Sequence, residues 1–185
     1  MKKAIVVVDE LYDFITGGAL ACGHSEEAVE ETVNFIRNHP AFPALFVCDH
    51  HPANHCSFAA QGGPWPPHCV AGTHGGEIHE ALLPYVVPEK TFFKGCDPAL
   101  EQYSGFDGRS AAGESLAEAL RRMGIERVYV TGIATEYCVL NTVKDLIGAG
   151  FKVTVVESCL GWVDAEGHKT ALPEIRKMGA WIMKA

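Results

Sequence analysis

A cysteine near the start of a predicted helix is the first residue that could carry chemistry. Residues 131–143 read TGIATEYCVLNTV, so a Gly-containing turn leads from an apolar run into a helical segment, and Cys138 lies near that junction. Unpaired backbone N–H groups at a helix N-terminus stabilise a thiolate, and they also stabilise the oxyanion that forms when sulfur attacks a carbonyl. The alternative is a small buried side chain, which is the commoner role of a reduced cysteine.

Two charged residues are candidates for the partners that a reactive thiol needs. Lys94 lies in FFKG, between Phe93 and Gly95, which is an unusual setting for a solvated lysine. An ammonium group there could lower the pKa of a neighbouring thiol. Asp9 directly follows the apolar run AIVVV. Taken alone, each of the two also fits an ordinary role, Lys94 as a surface charge and Asp9 as a cap of a loop or helix.

A histidine-rich stretch indicates a metal site. The sequence CDHHPANHCSF (48–58) follows an apolar run, and Asp49 and His51 alternate in it, so in an extended chain both point the same way. His68, in GPWPPHCV, would be a distant third ligand. Three protein ligands leave coordination positions open for water and substrate, as in catalytic metal sites. A surface loop is the alternative, because the chain contains nine histidines.

The elements that must position these residues alternate between strands and helices. Apolar runs predict strands at AIVVV (4–8), ALFVC (44–48), YVV (85–87), RVYVT (127–131), KVTVV (152–156) and AWIM (180–183). Helical spacing appears in SEEAVEETVNFIRNH, with Ser25 as a candidate N-cap, and in SAAGESLAEALRRMG, TEYCVLNTVKDLIGAG and DAEGHKTALPEIRKMG. In the last of these, Pro173 should weaken the helix or move its start.

This alternation predicts an α/β fold with a doubly wound, mostly parallel sheet of about six strands and helices on both faces. Sites in such folds form at the carboxyl ends of the strands. Asp9, Asp49, Lys94 and Cys138 each follow or end near a predicted strand, so we expect them to meet at one edge of the sheet.

Composition limits the classes of function. The 185 residues, 48% of them hydrophobic, predict a single domain over residues 1–185. A formal net charge of −8 argues against nucleic acid or an anionic membrane as partner. No apolar run approaches the ~20 residues that span a bilayer. The seven cysteines show no CxxC spacing and no export signal is visible, so we expect reduced thiols and a cytoplasmic protein.

Several motifs in a fixed order resemble a known family. VVVDELYDF, CDHHPANHCSF, WPPHCVAGT, FFKG and GIATEYCV resemble the isochorismatase-like cysteine hydrolases, and among them the nicotinamidases, which also act on pyrazinamide. The resemblance runs from about residue 4 to residue 160. It implies a Rossmann-like isochorismatase fold, nicotinamide as the small-molecule substrate, and hydrolysis to nicotinate and ammonia through a cysteine thioester in NAD salvage.

The resemblance also implies roles for single residues. The catalytic triad would be Asp9, Lys94 and Cys138, and the N–H groups of Ala134 and Cys138 would form the oxyanion hole. One divalent metal ion would be held by Asp49, His51 and His68; zinc is the first candidate, and iron and manganese also suit this ligand set. Phe14, Trp65, Tyr103 and Ala134 would contact the substrate. The bond between Ile133 and Ala134 corresponds to one that is cis in relatives.

The sequence departs from the family pattern at a few positions and leaves alternatives open. Tyr12 replaces an Asn of the family motif, His50 replaces a tryptophan, Glu101 occupies a position that is commonly Asp, and the role of His55 is unassigned. The alternatives to a nicotinamidase are another amide hydrolase of the superfamily acting on a ureido or carbamoyl compound, a catalytically silent metal-binding relative, and a zinc hydrolase that leaves Cys138 idle. Oligomeric state also stays open, with a homo-oligomer among the possibilities.

Overall fold

Five of the six predicted apolar runs lie in strands of a six-stranded sheet in the computed structural model, which describes residues 1–184. The strands are β1 (Lys2–Val8), β2 (Ala44–Asp49), β3 (Thr91–Lys94), β4 (Ile125–Gly132), β5 (Lys152–Leu160) and β6 (Trp181–Met183). They lie in the order β3-β2-β1-β4-β5-β6, and every neighbouring pair is parallel. This is the strand order of a doubly wound fold, so the predicted fold class is confirmed.

Four α-helices cover both faces of the sheet. They are α1 (Ser25–Asn38), α2 (Leu116–Arg122), α3 (Leu140–Gly148) and α4 (Ala165–Lys177). Successive residues of a strand point to opposite faces, so β1 contributes to two buried clusters. Ile5 and Val7 pack with α1, whereas Val6 and Val8 pack with the other three helices. Within residues 1–184, none of the helices combines the length and the apolar character that a membrane crossing requires.

Three details of the predicted elements were wrong. The run YVV (85–87) is not a strand, because Pro84 and Pro88 flank it and proline lacks the N–H that a sheet needs. The third strand is β3 instead, a few residues later. Ser25 is the first residue of α1, and His24 is its N-cap. Pro173 lies inside α4 without ending it, and the buried Ala171 and Ile175 on either side pack that helix onto the sheet.

The sheet changes winding direction between β1 and β4. From β1 the chain moves outward to β2 and β3, then returns to place β4 on the other side of β1. A crevice forms at the carboxyl ends of strands at such a point. Asp9 follows β1 at this edge, and a short π-helical turn (Thr135–Val139) follows β4 and leads into α3. We call Thr135–Val139 the nucleophile turn, because it carries Cys138, the predicted nucleophile.

A buried carboxyl group joins the end of β1 to α1. Glu10 is 2% exposed, and its Oε1 accepts a hydrogen bond of 2.6 Å from the Thr32 hydroxyl on α1. Its Oε2 has no hydrogen-bond partner among the described residues. Burial raises the pKa of Glu10 well above its usual value, and the Thr32 hydrogen bond opposes this only in part. Folding therefore favours the protonated form of Glu10.

Replacing Glu10 with Gln should stabilise the protein, and more so as the pH rises. Above about pH 4.3 the unfolded chain releases the proton that the folded protein retains, so stability falls with pH until the folded pKa is passed. Glutamine does not titrate and so removes this loss of stability. Each unit of difference between the folded and unfolded pKa of Glu10 corresponds to about 1.4 kcal/mol in the free energy of unfolding. Urea unfolding at pH 5 and pH 8 measures the effect. The exposed Glu30→Gln in α1 is the matched control, and a Glu10→Gln difference that does not grow with pH would contradict the assignment.

Candidate active site

Three charged side chains meet where adjacent strands end. Asp49 and Lys94 are the last residues of β2 and β3, and they are paired in the register of the two strands. Asp9 follows β1 with a positive φ of 50°, and its Oδ1 accepts a 2.8 Å hydrogen bond from the Asp49 N–H. The parallel sheet thus brings together residues that lie more than eighty positions apart in the chain.

Lys94 is the centre of this cluster. Its side chain is fully enclosed, and Nζ lies 2.9 Å from Asp9 Oδ2 in an ion pair. The same Nζ forms a second ion pair with Asp49 Oδ1, and it lies 3.4 Å from Cys138 Sγ. The three predicted catalytic residues are therefore in one place, with Asp49 as a fourth member.

The charges of this cluster set the pKa of each member. Burial acts against the charged form of Lys94, but Asp49 and Asp9 outweigh it and raise the Lys94 pKa well above its usual value. For Asp49, burial is opposed by the Lys94 ammonium and by His51, and the pKa falls below its usual range. Burial and the neighbouring Asp49 raise the pKa of Asp9 to about 6, although Lys94 opposes them. Asp9 can therefore exchange a proton near neutral pH.

The surroundings of Cys138 favour its thiol form over the thiolate that a helix start alone would favour. Burial raises its pKa well above the usual value, and the Lys94 ammonium opposes this without overcoming it. Cys138 Sγ and a carboxylate oxygen of Asp9 lie within 4.8 Å of each other. An attack by this sulfur would therefore require a base, and the Asp9 carboxylate lies within 4.8 Å of it.

The loop before the nucleophile turn is shaped by close contact with β1. Gly132 has a φ of 119°, and a Cβ at this position would collide with the Val8 backbone, so only glycine fits here. The bond between Ile133 and Ala134 is cis, as the resemblance implied. Ala134 lines the cleft beside Cys138, and its N–H has no acceptor among residues 1–184. That free donor suits an oxyanion.

The predicted metal ligands form a compact set. One ligand atom from each of Asp49, His51 and His68 lies within 4.8 Å of the others, and all three side chains are buried. Nδ1 of His51 binds Gly95 O at 2.9 Å, and Nδ1 of His68 binds Pro66 O at 2.8 Å. A carbonyl oxygen only accepts, so each Nδ1 carries a proton and each Nε2 has the lone pair that a metal needs. These residues therefore fit a divalent metal ion.

The two imidazoles of this set differ in their electrostatics. Burial lowers the pKa of His68, which favours the neutral form that binds metals. Burial acts the same way on His51, but the Asp49 carboxylate outweighs it and raises the His51 pKa. His51 Nε2 lies 3.4 Å from Asp49 Oδ2, so the two donor atoms already face each other.

Two residues beside the predicted metal ligands, Gly95 and Cys69, have a positive φ. Gly95 has a φ of 65°, and a Cβ there would collide with the His51 ring. Cys69 follows His68 with a φ of 47°, and its N–H donates to Asp13 Oδ2 at 2.7 Å. Asp13 thus fixes the loop that carries His68. Sequence reasoning missed this role, although Asp13 stands beside Phe14 in the quoted motif.

The structure also places the histidines whose roles were unassigned. His55 stacks on His51 with ring centroids 4.1 Å apart, and its two nitrogens bond to Ser57 Oγ and Leu100 O. Both nitrogens are therefore engaged, and His55 supports the His51 ring. His50 packs against Phe93 at 4.9 Å. Tyr12 packs against His74 at 4.0 Å, and its hydroxyl accepts the Glu80 N–H.

An aromatic cleft of about 360 Å³, a volume that includes open solvent at its mouth, joins Cys138 to the predicted metal ligands. Cys138, Asp49, His51 and His68 all line it, together with the predicted substrate contacts Phe14, Trp65, Tyr103 and Ala134. The Trp65 indole N–H donates to the Tyr103 hydroxyl at 3.2 Å. Sequence reasoning missed four further lining residues, which are Leu20, Glu101, Tyr137 and Val163.

Among these missed residues, Tyr137 offered a signal in the sequence. It directly precedes Cys138 and packs edge-on against Trp65 with ring centroids 5.0 Å apart. When a cysteine at a helix start is a candidate nucleophile, the large aromatic side chain next to it is itself expected to line the cleft. Leu20 and Val163 lie in loops and carry no comparable signal.

Comparisons with known proteins agree with this geometry. The family model described as "Isochorismatase domain" matches residues 3–185. The chain belongs to the isochorismatase family. Within it, the chain is 34% identical to the nicotinamidase of Escherichia coli, over 97% of this chain and 93% of that protein.

Two solved structures of this family superpose over nearly the whole chain. The pyrazinamidase of Pyrococcus horikoshii, in complex with zinc, has a TM-score of 0.88 and 35% identity over 100% of both chains. PnC1 of L. infantum, in complex with nicotinate, has a TM-score of 0.84 and 31% identity over 99% of this chain and 92% of that chain. The fold that carries the cleft is thus shared along its full length.

Proposed function

We propose that this member of the isochorismatase family is a nicotinamidase, which hydrolyses nicotinamide to nicotinate and ammonia and also accepts pyrazinamide. The observation that supports this is a single cleft lined by Cys138, by the three candidate metal ligands and by aromatic side chains, with Lys94 and Asp9 buried next to Cys138. The similar proteins from E. coli and P. horikoshii are named for these two amides, and the L. infantum structure holds nicotinate.

The first half of the reaction forms a thioester. Asp9 takes the proton of the Cys138 thiol as sulfur attacks the carboxamide carbon. The N–H groups of Ala134 and Cys138 donate to the oxyanion of the tetrahedral intermediate. The C–N bond then breaks, Asp9 returns its proton to the nitrogen, and ammonia leaves. Lys94 retains its charge throughout and stabilises the negative charge that develops on sulfur.

The second half releases the acid. A water molecule replaces ammonia, and Asp9 takes one of its protons as the oxygen attacks the thioester carbon. The same two N–H groups hold the second oxyanion. The C–S bond breaks, and the proton on Asp9 returns to Cys138 to restore the thiol. A pKa of about 6 suits Asp9 for both proton transfers near neutral pH.

In this proposal the metal would orient the substrate, and the bond-breaking steps are carried out by the protein side chains. Asp49, His51 and His68 would hold one divalent ion, with zinc as the first candidate. When bound, the ion would orient the ring nitrogen of the substrate as a template. Phe14 and Trp65 face the same cleft and would enclose the faces of the pyridine ring.

Ammonia release from nicotinamide by the purified protein is the test of this function. Wild-type protein should release ammonia and nicotinate in equal amounts, and Cys138→Ala should lower the rate by about a thousandfold or more while the fold is retained. Cys48→Ala, at another buried cysteine, is the matched control and should remain active. Turnover that survives in Cys138→Ala would exclude the thioester route, and wild-type activity on ureido compounds alone would favour the superfamily alternative.

Metal content should depend on His68 and be independent of His50. Loss of the Nε2 ligand in His68→Ala should weaken metal affinity by at least about 10–100-fold and raise the KM for nicotinamide. His50→Ala changes a residue of the same motif that contacts Phe93, so it should keep its metal. Elemental analysis of both variants after dialysis measures this. Equal metal content in the two would remove His68 from the ligand set.

A further inference from the structure

The nucleophile turn is tied to the loop between β5 and α4. The N–H of Thr135 donates to Gly161 O at 2.9 Å, and the Thr135 hydroxyl donates to the same oxygen at 3.0 Å. One residue later, Glu136 Oε1 accepts the Asp164 N–H at 2.7 Å. The loop between β5 and α4 therefore holds the first two residues of the turn that carries Cys138.

A histidine from α4 completes this attachment. Nδ1 of His168 lies 2.9 Å from Thr135 Oγ1. A threonine hydroxyl has one proton, and in Thr135 that proton goes to Gly161 O, which can only accept. His168 must therefore donate through Nδ1–H. The Gly161 carbonyl oxygen can only accept, and it therefore fixes the direction of both side-chain hydrogen bonds. His168 donates to Thr135, and Thr135 donates to Gly161.

The His168 ring is itself held in place. Its centroid lies 4.3 Å from that of Trp162, and Trp162 stacks on His24 at 5.1 Å. Thr135 is fully buried, so its hydroxyl has no access to water as an alternative partner. Burial lowers the pKa of His168, although Glu157 opposes this, and so the neutral ring with Nδ1–H is favoured. Neither His168 nor Thr135 lines the substrate cleft.

We propose that His168 is a positioning residue for the hydrolytic reaction. Its Nδ1–H donates to Thr135 and thereby fixes the start of the nucleophile turn, which carries the N–H of Cys138 and directly follows that of Ala134. The inference rests on the proposed nicotinamidase activity. Because both halves of the reaction use those two N–H groups, losing the bond should lower kcat whichever half is slower. KM and metal content should stay the same, since the predicted ring walls Phe14 and Trp65 and the predicted metal ligands lie on other elements.

Steady-state kinetics on nicotinamide with four variants test the proposal. His168→Leu and Thr135→Val should each lower kcat about tenfold, with KM and metal content within about twofold of wild type. The double variant should be no slower than Thr135→Val alone, because that variant already lacks the bond to His168 along with the hydroxyl bond to Gly161 O. His168→Asn should recover most of kcat, since its amide nitrogen can occupy the position of Nδ1. Circular dichroism checks the fold, and His168→Gln replaces the leucine variant if that one is unstable.

A control variant and the wild-type activity distinguish a failure of the His168 role from a failure of the proposed nicotinamidase activity. His24→Leu removes the other imidazole beside Trp162 without touching Thr135, and it should keep the wild-type kcat. An equal loss in His24→Leu, additive losses in the double variant, or an unchanged kcat in His168→Leu would each overturn the role of His168. If wild-type protein released no ammonia from nicotinamide, the proposed function would have failed instead.

Discussion

The buried ammonium of Lys94 is the interaction on which the site depends. A single buried charge is strongly unfavourable, and Lys94 is retained because two carboxylates face it. The arrangement has one more negative charge than positive, and this excess, together with burial, raises the pKa of Asp9 to about 6. Asp49 faces Lys94 with one oxygen and His51 with the other. The same carboxylate therefore links the nucleophile half of the cleft to the metal half.

The parallel sheet is what makes this cluster possible. The ends of β1, β2 and β3 lie side by side, so one charged residue at each strand end is sufficient to bring Asp9, Asp49 and Lys94 into contact. β4 adds the nucleophile turn on the other side of β1. The supporting contacts come from residues that do not line the cleft. Asp13 holds the His68 loop, the carbonyls of Gly95 and Pro66 orient the imidazoles, and Gly161 and Asp164 hold the turn with Cys138.

The parts that were predictable from sequence are those with local signals. Apolar runs and helical spacing predicted the fold class, and short motifs predicted eight of the twelve residues that line the cleft. The strand at YVV was mispredicted because composition favoured it, while Pro84 and Pro88 decided against it. The protonation state of Cys138 depends on its burial, and burial depends on the whole fold. Asp13 and His168 act through backbone groups or neighbouring side chains far away in sequence, so their roles follow only from tertiary contacts.

A double-mutant cycle on Lys94 and Asp9 tests the central claim most directly. Urea unfolding at neutral pH, with metal removed by chelator from all four proteins, would give each free energy of unfolding. Lys94→Met should cost about 3–5 kcal/mol, because it leaves two buried carboxylates without a counter-charge. Asp9→Asn should then be far less harmful in the Lys94→Met background than in wild type, with a coupling of about 1–3 kcal/mol. Additive effects within about 0.5 kcal/mol would contradict the account.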